Sequence, residues 1–75
     1  MNLRQLVDQR VRFIDEDGIE YEGYAMRYVS AKNNEPIKIE ALIFDELVRL
    51  SDGHRYNFPI EFIRPDIKLI EPLKK

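Results

Sequence analysis

The chain has 75 residues, 44% of them apolar and 35% charged, which is the balance of one small globular domain with no apolar run near the roughly 18 residues of a membrane span. It holds no Cys and a single His, which excludes disulfides, thiolate metal sites and a histidine-based metal cluster. A net charge of −2 argues against strong nonspecific binding to DNA or RNA and leaves room only for a local basic site.

"NLRQLVDQR" places Leu3, Leu6 and Val7 at helical spacing with Asn2 as cap, so a short N-terminal helix is expected. Val11 and Phe13 then alternate with Arg10 and Arg12, as in a strand. "DEDG" is hairpin-turn chemistry. The second strand runs from Ile19 to about Ser30, with Ile19, Tyr21, Gly23 and Ala25 on one face and Glu20, Glu22, Tyr24 and Met26 on the other. "SAKNNEP" is a polar loop closed by Pro36.

In the third strand Ile37, Ile39, Ala41 and Ile43 alternate with Lys38, Glu40, Leu42 and Phe44, and the last two argue for burial on both faces at that end. "DELVRL" reads as strand or helical turn, with Val48 and Leu50 favouring strand, and "SDGH" is a second Asp-Gly hairpin. Arg55 to Ile63 is a strand interrupted by Pro59, and "RPD" turns the chain into a last strand from Ile67 to about Leu73, followed by a frayed Lys74-Lys75 tail.

Five or six short strands with tight turns predict a mainly β fold, a small five-stranded barrel of the SH3 kind with a short N-terminal helix, over residues 1–75 as a single domain. An α+β fold with helix over residues 44 to 50 is the competitor. Gly23 inside a strand of good β-formers is read as the bend point of a long second strand, the alternative being a glycine merely tolerated on an edge strand. A domain this short buries only about 60–65% of its unfolded surface. With neither disulfide nor metal to compensate, self-association is expected. The opening "MNLRQLVDQR" has no apolar core long enough for a signal peptide, and a cytoplasmic protein is expected.

Helix, "VRFIDEDGIEYEGYAMRY", an Asn-bearing polar loop and an aliphatic strand together resemble the first Sm motif, carried here by Val11, Phe13, Asp17, Gly18, Tyr21 and Gly23. The closing "FIRPDIKLIEPL" is similar to the second Sm motif at Ile63 and Arg64, with Pro65 where that family usually has Gly. The "GY…Y…NEP…I" core and "IEFI…IKLIE" ending look most like small Sm-like proteins of bacteria whose role is unknown. Val29 stands where Sm proteins usually place an Asp, which sets the RNA site apart from the family pattern more than the fold.

The resemblance implies a non-catalytic barrel that forms homo-oligomeric rings and binds single-stranded RNA near the pore. A flat side chain would stack on the base, an Asn would read its edge and an Arg from the last turn would complete the pocket. The matching positions are Tyr28, Asn33 or Asn34, and Arg64. Gly18, Tyr21 and Gly23 would be structural. The plain alternative is that the asparagines only shape the loop and that Arg64 pairs with Asp66 or Glu61. A second function class is an interaction protein that takes another protein by strand addition or on the Tyr24, Met26 and Tyr28 face, without nucleic acid.

The other chemical candidates are weaker. Asp15, Glu16 and Asp17 lack the ligand spacing and closing Glu of a calcium loop and are expected to be a solvated turn. Glu20 and Glu22 share a strand face without an acid–base partner, and His54 sits in a turn without a nucleophile to activate. No enzyme, metal or cofactor is expected.

Overall fold

The computed structural model describes residues 2–73, so the expected Lys74-Lys75 tail lies outside the described residues. The chain opens with a 3-10 helix, Leu3–Leu6, capped by the Asn2 side chain, whose oxygen accepts from the Arg4 N–H at 3.1 Å. The strands follow: β1 (Arg10–Asp15), β2 (Glu20–Val29), β3 (Ala41–Arg49), β4 (His54–Arg55), β5 (Ile60–Ile63) and β6 (Ile67–Pro72). A one-turn 3-10 helix, Ala31–Asn33, opens the loop after β2, and another, Arg64–Asp66, joins β5 to β6. All neighbours are antiparallel in the order β4-β3-β2-β1-β6, with β5 also on β3. The competing helix over residues 44 to 50 is absent: those residues continue β3 up to Arg49.

β4 and β5 are one strand position broken in two. Val48 and Arg49 pair with Arg55 and His54, while Ala41 to Phe44 pair with Ile63 to Ile60. Pro59 stands in the gap, where its missing N–H breaks no ladder bond. The six strands therefore occupy the five positions that the sequence predicts.

The third strand starts later than predicted, and at that start it is buried on both faces as expected, with Ala41 and Leu42 both fully covered. Ile37 to Glu40 belong to the loop: the Lys38 N–H donates to the Asn34 carbonyl at 2.7 Å, and the Asn34 side-chain amide donates to the Ile39 carbonyl at 2.7 Å. Backbone groups satisfied within the loop do not extend the ladder. In β3 itself Leu42 and Phe44 are fully buried while Ile43 is only half-buried. At Glu46 the backbone takes a positive φ of 52°, the period slips, and Leu47 faces the core in its place.

The core is a cluster of rings bounded by aliphatic side chains. Phe13 stacks on Phe44 at 4.5 Å and on Tyr21 at 5.0 Å, and Phe62 meets Phe13 edge-on at 4.9 Å. Leu3 from the N-terminal helix, Val11, Leu42, Leu47 and Ile67 close around them. Gly23 is buried among these residues, and the β2–β3 register shifts between Glu22 and Tyr24. A Cβ at Gly23 would lie 3.0 Å from the Leu47 side chain and 3.3 Å from the Asp45 carbonyl. The glycine is thus needed where the irregular part of β3 presses on β2, a close approach at the position that the sequence marks as a bend.

In the acidic turn Glu16 and Asp17 are exposed as expected, and Asp15 is not. Asp15 is 8% exposed rather than solvated. One of its carboxylate oxygens accepts from the Asp17 and Ile19 N–H groups, both at 2.9 Å, and the other accepts from the Tyr21 hydroxyl at 3.2 Å. It organises the turn that Gly18 closes at a φ of 84°. With Asp15 so committed, the turn holds no metal-ligand set, and no such set occurs among the described residues.

Candidate functional site

The four residues matched to RNA binding fall at one end of the barrel, where β2 runs into the loop towards β3 and β5 runs into the last turn. Their roles separate there. Glu40, just before β3, gathers two of them: its carboxylate accepts from the Tyr28 hydroxyl at 2.6 Å and from the Arg64 guanidinium. The Arg64 N–H also donates to the Glu40 carbonyl at 2.9 Å. Glu40 is therefore an ion-pair partner of Arg64, an acid that the reading from sequence did not name. These two donors hold the Glu40 carboxyl below its ordinary range, Tyr28 contributing most, and the same hydrogen bond pushes the Tyr28 phenol up.

Tyr28 is half-buried against the core, and the Arg4 guanidinium lies 5.2 Å from its ring centre. Its hydroxyl and one ring face are thus in use within the chain. Asn34 is equally committed: besides the Ile39 carbonyl, its amide reaches the Glu61 carboxylate at 3.1 Å. Asn34 ties the loop after β2 to β5.

Asn33 behaves differently. Its backbone N–H is capped by the Ser30 carbonyl at 3.0 Å and hydroxyl at 3.3 Å, which closes the single 3-10 turn. Its exposed side-chain amide has no hydrogen-bond partner among the described residues. Together with Arg27, Tyr28, Val29 and Ser30 it lines a shallow concavity at the end of β2. Of the two asparagines, Asn33 is the one whose amide stays uncommitted, and Asn34 the one that shapes the loop.

Glu40 and Arg4 are the participants that sequence reasoning missed. Glu40 reads as one polar position of an alternating strand, and Arg4 as the solvent face of the first helix. Both act across long sequence separations, and nothing local in the sequence signals them.

The remaining candidates are structural. Glu20 forms an ion pair with Arg12 across the hairpin. His54 is exposed, its N–H donating to Asp52 at 3.1 Å and its ring meeting Tyr56 edge-on at 4.7 Å. Tyr24 donates to Asp8 at 3.1 Å, so the Tyr24, Met26 and Tyr28 face is half covered by the chain's own N-terminal segment and loop. No helix among the described residues is long and apolar enough to cross a membrane.

No protein-family model matches the chain, and no curated protein matches it. Among solved structures it is similar to a novel Sm-like archaeal protein from Pyrobaculum aerophilum, with a TM-score of 0.72 and 14% identity over 97% of this chain and 49% of that one. The chain thus spans about half the length of that protein. The likeness shows an Sm-like fold for this chain, here a single bent antiparallel sheet.

Proposed function

We propose that this chain is a non-catalytic, cytoplasmic Sm-like module that self-associates through its strand edges and binds short single-stranded RNA at the turn after β2. The observation that carries the reading is the unpartnered Asn33 amide beside the Tyr28 wall, set in a concavity at the loop end of an Sm-like barrel. Unpaired bases expose edges that a free amide can read, and an aromatic wall suits any base. The edges suit assembly: β6 is paired only with β1, and β4 and β5 only with β3, among the described residues. Leu69 on β6 is 61% exposed, and Phe58 beside the β4–β5 break is 62% exposed.

Fluorescence anisotropy with U-rich and A-rich oligoribonucleotides at low salt tests the RNA reading. Binding by the wild type, weakened about tenfold in Asn33→Ala as one hydrogen bond is lost, is the expected result. No binding of either oligonucleotide removes the reading.

A second reading, a protein-interaction barrel without nucleic acid, is favoured by the inward commitment of Asn34, Tyr28 and Arg64. A partner retained after nuclease treatment, together with silent oligonucleotides, would select it.

A further inference from the structure

Arg10, Arg12, Lys38, Arg49 and Arg64 are neutralised within the chain by Glu46, Glu20, Glu35, Asp52 and Glu40. Arg27 and Lys32 are not. Arg27 is the single exposed position of β2 and lines the concavity beside Asn33. Lys32 is the exposed middle residue of the 3-10 turn whose flanking residues, Ser30 and Asn33, line the same concavity. Neither side chain makes an ion pair or hydrogen bond among the described residues. Three acids of this end are already engaged: Glu35 by Lys38, Glu40 by Tyr28 and Arg64, and Glu61 by Asn34. A protein of net charge −2 thus keeps two unneutralised cations at the rim of one polar concavity.

We propose that Arg27 and Lys32 hold the phosphodiester backbone of single-stranded RNA across the mouth of this concavity, with the Asn33 amide turned to a base. The inference rests on the RNA reading above and assigns to it residues that the Sm resemblance does not. A guanidinium matches a phosphate in a bidentate fork, and an ammonium adds a point charge that tolerates a range of backbone positions. Phosphate contacts position a strand without reading it, so these two residues supply affinity while Asn33 supplies discrimination.

The test is the salt dependence of oligoribonucleotide binding by the full chain, measured by anisotropy. Two phosphate contacts on a single strand contribute about 1.4 to the slope of log K against log salt concentration, at about 0.7 each. The Arg27→Gln/Lys32→Gln variant is expected to lose that much slope and to weaken U-rich and A-rich binding alike. Asn33→Ala is expected to weaken binding with the slope unchanged. Arg55→Gln/Lys68→Gln, which removes two exposed cations on β4 and β6, is expected to leave the slope near the wild-type value. If the wild type binds and the Arg27/Lys32 variant keeps its slope, the inference is overturned while the RNA reading stands. An equal loss of slope in the Arg55/Lys68 variant overturns it too, because the cations would then act without regard to place. If the wild type binds no oligonucleotide, both fall together, and wild-type binding is therefore measured first.

Discussion

Gly23 and Asp15 sit in surroundings that leave little room for change. At Gly23 a methyl group meets the Leu47 side chain at 3.0 Å and the Asp45 carbonyl at 3.3 Å, and the backbone contact has no rotamer to yield. Gly23→Ala is therefore expected to lose about 1–3 kcal/mol by overpacking, read from urea unfolding, and wild-type stability in that variant would refute the close-approach reading. Asp15 accepts three hydrogen bonds, two of them from backbone N–H groups of its own turn. Its partner Tyr21 has its phenol pushed up to about 12, first by burial and then by the Asp15 charge. An unfolded tyrosine titrates near 10, so this group's contribution is intact below about pH 10 and is lost as pH rises towards 12. Stability should fall over that interval, and Tyr21→Phe should fall less. An equal loss in both would assign the transition to other groups.

At the level of elements, the loops are held by single carboxylates. In the β3–β4 hairpin Asp52 receives the Arg49 guanidinium at 3.0 and 2.7 Å and the His54 N–H, and Arg49, first among these, holds its carboxyl well below the usual range. Glu40 does the same for the loop before β3 and the turn before β6, and its carboxyl is also lowered. Depressed carboxylates stabilise the fold above their unfolded values, near pH 4, and that contribution is lost as pH falls through the folded values. The Asp52→Asn/Glu40→Gln variant should therefore show a flatter decline in unfolding free energy below about pH 4 than the wild type, and a parallel decline would assign the acid sensitivity elsewhere. The hairpins themselves were legible in the sequence, because Asp-Gly turns act through φ at one residue, and Gly18 and Gly53 indeed have positive φ. The start of β3 was not legible, because the aliphatic alternation from Ile37 is genuine while the Asn34 side chain takes the carbonyl that a ladder would need.

For the whole molecule, the open question is what meets the edges of the sheet. Leu69→Lys on β6 is expected to reduce a multimer seen by light scattering to its monomer, and a wild type that is monomeric at every concentration would remove the assembly reading. The sequence by itself determined the class of fold, the succession of strands and turns along the chain, the break at Pro59 and the need for glycine at position 23. These follow from alternation, turn chemistry and the missing Cβ or N–H of single residues, all of which are local. Only the tertiary structure decided which asparagine is free, which acid receives Arg64 and Tyr28, and which cations remain unneutralised. Those outcomes depend on which distant side chains the folded sheet brings within hydrogen-bond reach, and no spacing along the chain encodes that distance.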